Sequence, residues 1–229
     1  LKAIGYALEG LKAQGFQARD LRLGGYRSKD LKHVGFSEAE LRAAGFRDRL
    51  VEAVDGRSTI ELKSHGYQAD ELWEAGFSAK ELKVALFNVH LLRLVGFTAG
   101  EMRAGAYTLT QLIREAGYSA KEAKSAGFTA AEFVAAPCSV TELRAAGFTA
   151  KECTDSGLNE AVVAAIYKGK TPQQLRAAGF TCEQAKSGGL LPHECHQAGY
   201  SFEEGQALGF KRKLADWLTM ELNNPYNKW

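Results

Sequence analysis

The sequence predicts an all-α fold: an α-solenoid or superhelix of about twenty short, two-turn helices linked by glycine turns, with a C-terminal helical cap. The first observation behind this prediction is a ten-residue unit, L-(K/R)-x-x-G-(F/Y)-(S/T)-x-x-(D/E), that recurs over most of the 229 residues. Its hexapeptide LRAAGF stands at 41–46, 143–148 and 175–180. The second observation is that the aromatic position of this unit holds 16 of the 20 Phe and Tyr residues. We number the ten positions of the unit from its Leu, as slots 1 to 10.

Each unit contains a signal that begins a helix. In the copy at 149–152, Thr149 in slot 7 is a natural N-cap, and Glu152 three residues later completes a capping box. Acidic residues in slot 10 and basic residues in slot 2 fall in the first and last turns, which suits the helix dipole. Helices of two turns are not stable alone in water, so we expect them to be held by packing against their neighbours.

The same unit contains a signal that ends a helix. Gly147 in slot 5 is predicted to be the left-handed C′ residue of a Schellman turn, in which Phe148 contacts Leu143. Phe148 also precedes the next N-cap, where a hydrophobic staple would pack it against Cys153. The decapeptide is therefore predicted to end one helix and begin the next.

The pattern is irregular at several places in the first half of the chain. Residues 47–61 run one residue long, with Asp48 as the expected N-cap, Gly56 as the expected C′ residue and a new capping box at Ser58 to Glu61. Residues 102–113 also slip by one. Leu86 replaces the usual Gly, and we therefore expect no Schellman turn there.

Further irregularities lie in the second half. Pro137 replaces another slot-5 Gly. Between 158 and 175, Asn159 is expected to cap a longer helix that ends at about Tyr167, and Thr171 followed by Pro172 predicts a strong helix start. The resulting domain organisation is a decapeptide-repeat α-solenoid over 1–210, irregular at 47–61 and 158–175, and a C-terminal capping helix and tail over 211–229.

Slots 1 and 6 supply a narrow apolar stripe on each helix, and slots 4 and 8 are small and often Ala, which permits close helix packing. Successive helices are expected to reverse direction in a two-layer stack, and a tighter spiral is the alternative. Both arrangements leave few contacts between distant repeats.

Composition and charge exclude several classes of protein. The net charge is +2 and the hydrophobic content is 45%, so nothing global directs the chain to nucleic acid or to an anionic membrane. No apolar run approaches the roughly 20 residues that span a bilayer. No signal or transit peptide is visible, and we expect a soluble protein of the cytoplasm or an organelle interior, with a peripheral position on a membrane complex as an alternative.

The tracts GFTAAEF at 127–133 and LRAAGF resemble the decapeptide short-helix tandem repeats of uncharacterised repeat proteins from algae and other protists. The resemblance covers residues 1–210. It implies the helical repeat fold and carries no assigned activity.

The best candidates for a metal site are Cys182, His193, Cys195 and His196. Zinc accepts such ligands, but the spacing C-x10-H-x-C-H matches no zinc motif, and slots 1 and 2 should direct Cys195 and His196 differently. Cys195 and His196 are neighbours on a helix and therefore do not face each other, which also argues against their acting as a nucleophile and its base. We therefore expect no metal, no cofactor and no enzymatic activity.

The slot-2 cations offer one candidate function, RNA or nucleic-acid binding by a helical repeat protein. If stacked, they would form a stripe that follows a phosphate backbone. The residues of this alternative phosphate stripe are Lys12, Arg22, Lys32, Arg42, Lys63, Lys83, Arg93 and Arg103. Acidic rows lie close to every basic row, so a solvated surface that complements the helix dipoles explains the same pattern.

The favoured function is a non-enzymatic protein–protein interaction scaffold, or a linker subunit of a larger assembly, whose partners are other proteins. Exposed apolar side chains would mark its contacts. The candidate partner-binding residues are Trp73, Tyr167, Trp217 and Trp229. Packing in the core or in a cap explains each Trp equally well.

Overall fold

The computed structural model describes residues 7–209 of the chain. The described residues divide into two compact units, 7–107 and 108–209. The predicted capping helix over 211–229, with Trp217 and Trp229, lies outside the described residues. Helices account for the regular structure of residues 7–209, where no strand occurs, so the predicted all-α class is confirmed.

The described part of the first unit contains ten α-helices of six or seven residues. They are α1 (Leu8–Ala13), α2 (Ala18–Leu23), α3 (Ser28–His33), α4 (Glu38–Ala43), α5 (Asp48–Ala53), α6 (Thr59–Ser64), α7 (Ala69–Ala75), α8 (Ala79–Val84), α9 (Val89–Leu94) and α10 (Ala99–Ala104).

The second unit begins with a π-helical segment, Gln111–Glu115, followed in its described residues by nine α-helices. They are α11 (Ala120–Ser125), α12 (Ala130–Ala135), α13 (Val140–Ala145), α14 (Ala150–Asp155), α15 (Glu160–Tyr167), α16 (Pro172–Ala177), α17 (Cys182–Ser187), α18 (Pro192–Gln197) and α19 (Phe202–Ala207). No helix described between residues 7 and 209 has the length and apolar character to cross a membrane.

The predicted capping boxes begin most of these helices. Before α14, the backbone N–H of Glu152 donates to Thr149 Oγ1 at 3.2 Å, and the backbone N–H of Thr149 donates to Glu152 Oε2 at 2.6 Å. The longer helix at 160–167 is confirmed with Asn159 as its N-cap, as is the helix start at Thr171 and Pro172.

The predicted Schellman turns end the helices. The backbone N–H of Phe148 donates to Leu143 O at 3.1 Å, and that of Gly147 donates to Arg144 O at 2.9 Å. Gly147 has φ +90°, where a glycine avoids the steric cost of a Cβ. Phe148 is buried and packs edge-on against Phe133, with ring centroids 5.0 Å apart. Each decapeptide thus ends one helix and begins the next.

Leu86 does not break this pattern, and the prediction that its turn is not of the Schellman type was wrong. Leu86 has φ +56°, and its N–H donates to Lys83 O at 2.9 Å. The N–H of Phe87 donates to Leu82 O at 3.1 Å. Tertiary contacts override the residue preference, since Lys63 Nζ donates to the Leu86 carbonyl at 2.9 Å and fixes the turn.

The extra residue near 47–61 is placed differently from the prediction. Asp48 is the first residue of α5, and the N-cap is Arg47. The Asp48 carboxylate does not cap the helix, because its Oδ1 accepts a hydrogen bond from Arg42 Nε at 2.9 Å. Gly56 has φ +80° but lies two residues after the C-cap Val54, so the insertion lengthens the turn and not the helix.

The slip near 102–113 is absorbed in a π-helical turn. Ala116 N–H donates to Gln111 O, five residues back, at 2.9 Å. Tyr118 then returns to a buried slot-6 position. Pro137 has no N–H, so its turn lacks the hydrogen bond that the slot-5 residue donates elsewhere. The second bond of the Schellman turn remains, from Cys138 N–H to Phe133 O at 3.1 Å.

Within each unit, helices pack against the next helix, as in α3–α4 and α14–α15, and against the one after that, as in α6–α8 and α13–α15. Thr59, the first residue of α6, donates to Glu81 O near the start of α8, and Lys63, near the end of α6, donates to the Ala85 carbonyl at the end of α8. Helices two apart therefore run in the same direction. The slot-1 side chains are fully buried between them, among them Leu21, Leu31, Leu41, Leu62, Leu72, Leu82, Leu92 and Leu143.

Contacts between more distant helices occur in both units, and each spans an irregular repeat. The buried Ser28 hydroxyl in α3 lies 3.3 Å from Leu50 O in α5 and 3.1 Å from Ala75 O in α7. In the second unit, Val140 N–H donates to Gly189 O at 3.0 Å, four helices further on. The irregular segments thus bring together helices that regular stacking would separate.

Candidate interaction surface

Four of the eight cations of the alternative phosphate stripe reach the C-terminal ends of other helices. Lys12 Nζ donates to the Val34 carbonyl at 2.8 Å and lies 4.5 Å from the centroid of the Phe36 ring. Each such cation satisfies an otherwise unpaired carbonyl of the helix two repeats later, complements its dipole and covers its aromatic ring. The same arrangement holds for Arg22, Lys63 and Lys83.

The other members of that stripe also have partners in the chain. Lys32 Nζ lies 3.4 Å from an oxygen of Asp55 and 3.7 Å from one of Glu38. Arg42 Nε donates to Asp48, and its Nη1 lies 3.2 Å from Glu38. Arg93 and Arg103 likewise interact with other groups. A phosphate backbone would have to compete with these intramolecular contacts.

Trp73 occupies a slot-2 position in α7 and lies where a basic side chain would lie. Its ring packs against Gly96, where an added Cβ would be 2.9 Å from Cζ2, and the Arg27 guanidinium lies 4.2 Å from the ring centroid. The indole Nε1 is buried and has no hydrogen-bond partner among the described groups. Trp73 is therefore half-buried between neighbouring helices of its own unit.

Tyr167 is also engaged within its unit. Its hydroxyl donates to the Phe148 carbonyl at 2.6 Å and lies 3.3 Å from the Cys153 sulfur. Of the four candidate partner-binding residues, the two that the structure describes thus make internal contacts.

The four candidate metal ligands are only partly brought together. Cys182 and Cys195 are buried on the consecutive helices α17 and α18, which pack together. His193 is half-buried with Nδ1 unpartnered among the described groups, whereas His196 is exposed. Across residues 7–209 no set of three or more His, Cys, Asp and Glu side chains is placed to hold a metal ion.

An open groove of about 570 Å³ lies in the first unit. Its lining includes Leu8, Tyr26, Lys29, Lys32 and Val54. Lys29 forms an ion pair with Glu81, and Lys32 forms one with Asp55. These two lysines are already neutralised, which makes the groove a poor site for an anion.

Four of the six large hydrophobic residues that are exposed in the described part of the chain lie on α8, α9 and the turn between them. Val84, Leu86, Leu91 and Leu94 are 61%, 83%, 37% and 68% exposed, and we call them the α8–α9 apolar surface. Elsewhere in residues 7–209 only Leu23 and Ile60 are large exposed hydrophobic residues. Exposed apolar side chains concentrated in one part of the chain are candidates for an interaction site.

Sequence reasoning missed this surface because it searched by residue type and selected the tryptophans. The available signal was the slot: Val84 and Leu94 occupy slot 3, where Ala and Ser are the commonest residues and Leu23 is the other large apolar one. Leu86 occupies the Gly slot and Leu91 the acidic slot. Four apolar replacements at normally small or polar slots within eleven residues distinguish these two repeats.

The electrostatics of this surface also differ from those of the other repeats. No Asp or Glu occurs between Glu81 and Glu101. Helix α9 has no acidic residue in its first turn, whereas every other α-helix described in the first unit has at least one. Lys80 and His90 are exposed on the same two helices. The apolar surface is therefore flanked by positive and neutral groups.

These features define a tandem repeat protein built from short, capped helices. The family model of the decapeptide repeat region matches residues 1–56, 56–114 and 110–167, and the chain belongs to this family. The helical pattern continues through α19, beyond the matched residues. No curated protein and no solved structure matches the chain.

Proposed function

We propose that this protein is a non-enzymatic protein–protein interaction scaffold, a subunit of a larger assembly, and that its α8–α9 apolar surface binds a partner protein. The observation that carries the proposal is Leu86. A non-Gly residue at φ +56° costs on the order of 1 kcal/mol, and this leucine is also 83% exposed. Glycine would satisfy the same turn without either cost, so folding does not account for a leucine at this position.

The chemistry of the surface indicates what kind of partner it fits. Val84, Leu86, Leu91 and Leu94 offer apolar contact area, and the absence of acidic residues from 82–100 leaves the local charge positive. A partner helix with apolar residues on one face and acidic residues beside them would complement both properties. We therefore propose an acidic amphipathic helix as the binding element of the partner.

Two features favour a scaffold over an enzyme. All four thiols are buried, and burial raises their pKa, for Cys138 to about 12, which makes them poor nucleophiles. The slot-7 and slot-10 polar side chains mostly cap helices, as Ser58 and Glu61 do.

Nucleic-acid binding is the less well supported alternative. Lys12, Arg22, Lys63 and Lys83 already donate to helix-end carbonyls and cover aromatic rings. Moving them to a phosphate backbone would expose those carbonyls and weaken the contact between repeats.

The test is an affinity capture from the source organism with three baits, each with and without nuclease. The baits are the wild type, the surface variant V84S/L86G/L94S and the control L23S. Each substitution introduces a residue that other repeats have at the same slot, so all three baits should fold. Leu23 is a matched control because it is a slot-3 residue, 83% exposed and outside the surface.

We expect a defined set of proteins that the wild type and L23S capture equally and that the surface variant loses at least about tenfold. A synthetic acidic amphipathic helix should compete with that set, whereas its lysine-substituted analogue should not. Identical capture by all three baits, or loss of partners with nuclease, would contradict the proposal. Binding of anionic phospholipid vesicles instead of a protein would also contradict the proposal, and it would make the surface a membrane-binding one.

A further inference from the structure

Both units contain an irregular repeat at the same place in their order of helices. The segment LVEAVDGRSTIEL at 50–62 runs from α5 into α6, and VVAAIYKGKTPQQL at 162–175, which is one residue longer, runs from α15 into α16. In each segment, buried apolar residues precede a glycine at positive φ, Gly56 or Gly169, and a capping box follows. Helices α3 to α9 of the first unit therefore correspond to α13 to α19 of the second.

A long-range contact spans the irregular segment of the first unit. Ser28 is the first residue of α3, and its hydroxyl lies 3.1 Å from the carbonyl oxygen of Ala75 at the end of α7. Lys29, the next residue, forms an ion pair with Glu81 of α8. The start of α3 thus contacts α7 and α8, which follow the irregular segment.

The second unit makes the corresponding contact with different residue types. Val140 is the first residue of α13, and its N–H donates to Gly189 O, just after the C-cap of α17, at 3.0 Å. The hydroxyl of Thr141, the next residue, donates to Glu194 Oε1 of α18 at 2.6 Å. The same positions meet in both units although the chemistry of the contacts differs, which indicates that the two units are copies of one module.

The two copies differ at the α8–α9 apolar surface, although the turn that carries Leu86 is held in the same way in both. Lys63 Nζ donates to the Leu86 carbonyl at 2.9 Å, and Arg176 Nη1 donates to the carbonyl of the corresponding residue, Gly199. In the order Val84, Leu86, Leu91 and Leu94, the exposed counterparts in the second unit are Gln197, Gly199, Glu204 and Ala207. At these positions, large apolar side chains therefore occur in the first copy alone.

The start of α9 also differs, in a way that permits a leucine in the acidic slot. In α19 the N–H of Ser201 donates to Glu204 Oε2 at 2.6 Å, which is one half of a capping box. Leu91 cannot accept such a bond. Instead, Asn88 Oδ1 accepts hydrogen bonds from the N–H groups of His90 at 2.8 Å and Leu91 at 3.3 Å. Asn88 thus caps α9 without the help of an acidic residue.

We infer that only the first of the two copies binds the acidic amphipathic helix of the partner, so that each chain holds one such helix. This inference rests on the proposed function of the α8–α9 apolar surface. The second copy lacks the large apolar side chains, and the exposed Glu203 stands where the first copy has His90, so an acidic helix would meet a like charge there. The four apolar residues and Asn88 are therefore the residues that determine which copy binds.

The test counts the helices that one full-length chain binds. The probe is a synthetic peptide with leucines on one face of its helix and glutamates beside them, and native mass spectrometry reads the number bound at excess peptide. The wild type and the control L23S should bind one peptide. The first copy with the residues of the second should bind none, and the second copy with those of the first should give two bound peptides per chain. These two variants are V84Q/L86G/N88S/L91E/L94A and Q197V/G199L/S201N/E204L/A207L.

A chain that carries both sets of changes should again bind one peptide, now in the second unit. Bound peptide should then slow amide hydrogen exchange in α18 and α19, whereas in the wild type it should slow exchange in α8 and α9. Every substitution introduces the residue that the other copy has at the corresponding position, so each variant has a natural counterpart in the same chain.

The outcomes separate this inference from the proposed function. A wild type that binds no peptide would overturn both. If the wild type binds one peptide and the first variant loses it, but the second variant gains none, this inference is wrong and the proposed function stands. Two peptides on the wild type, or a second variant that circular dichroism shows to be unfolded, would also overturn the inference.

Discussion

Lys83 closes the end of a helix that lies two repeats further along the chain, and it does so at Tyr107. Its Nζ donates to the Ala106 carbonyl at 2.7 Å and lies 4.5 Å from the centroid of the buried Tyr107 ring. One side chain therefore satisfies a helix end, complements its dipole and covers the aromatic residue that links it to the next helix. Because this arrangement recurs at slot 2, the basic row is part of what holds the repeats together.

The first prediction is that K83M destabilises the protein by about 1 kcal/mol. Methionine keeps an apolar side chain but lacks the ammonium group that donates to the Ala106 carbonyl and lies over the Tyr107 ring. Urea denaturation followed by circular dichroism would measure the change. K83R should retain most of the stability, since Arg22 makes the same contacts elsewhere.

K80M provides the matched control, because Lys80 is exposed on the same helix. It should change the stability by less than about 0.5 kcal/mol. Equal effects of K80M and K83M would mean that the helix-end contact contributes nothing specific.

The second prediction is that L86G stabilises the protein by about 1 kcal/mol while it weakens partner binding. Glycine adopts φ +56° without the steric cost that Leu86 has, and the change removes an exposed apolar side chain. Thermal unfolding and the capture assay would be measured on the same preparation. A106G is the comparison for strain alone, since Ala106 has φ +60° and no large side chain.

If L86G lost binding together with stability, unfolding would explain both results and the role proposed for Leu86 would fail. A gain in stability with a loss of binding is the expected combination, and a folding defect does not produce it.

Much of the fold could be predicted because its signals are local. The capping box joins Thr149 to Glu152, three residues apart, and the Schellman turn joins Leu143 to Phe148, five apart. At such short separations, the residue types are nearly sufficient to determine which hydrogen bonds form. The helix starts at Asn159 and Thr171 could be predicted for the same reason.

The features that sequence reasoning missed depend on contacts about 22 residues apart. The carbonyl partner of Lys12 lies on the helix two repeats later, and only the stacking register brings the two together. The same register supplies the Lys63 hydrogen bond that holds Leu86 in its turn and the space at Gly96 that Trp73 fills. A periodic row of cations therefore suggested an exposed phosphate stripe, although the side chains of that row reach neighbouring helices.

The third prediction contrasts two glycines of helix α10, one inside it and one at its C-cap. Gly105 is buried at the C-cap of α10, and an added Cβ would lie 2.9 Å from the Lys80 backbone nitrogen and 3.0 Å from the Ala79 Cβ. G105A should therefore destabilise the protein by about 1–3 kcal/mol, because the backbone of α8 must move.

G100A is the matched control inside α10. Gly100 is exposed in the helix, and its nearest neighbour to an added Cβ is Thr98 Oγ1 at 3.9 Å. This change should stabilise the protein by roughly 0.5–1 kcal/mol, since alanine restricts the unfolded chain. Chemical denaturation would measure both variants, and effects of the same sign would contradict the packing of α8 against α10.

The fourth prediction concerns the stability of the protein in acid. The pKa of Glu61 and that of Glu152 are lowered, chiefly because each carboxylate accepts a hydrogen bond from the backbone N–H of its N-cap residue, Ser58 or Thr149. A carboxyl whose pKa is lower in the folded state stabilises the fold above its unfolded pKa, near 4.3. That stability is lost as the pH falls through the lower folded value.

We therefore expect the midpoint of thermal unfolding to fall as the pH drops from about 5 to about 3, and to fall less steeply in E61Q/E152Q. Glutamine keeps the acceptor oxygen, as Gln174 does in α16, but it does not titrate. E52Q, on the exposed surface of α5, should leave the slope of the wild type unchanged. If all three proteins lost stability equally between these pH values, other carboxylates would account for the acid sensitivity and the capping boxes would not.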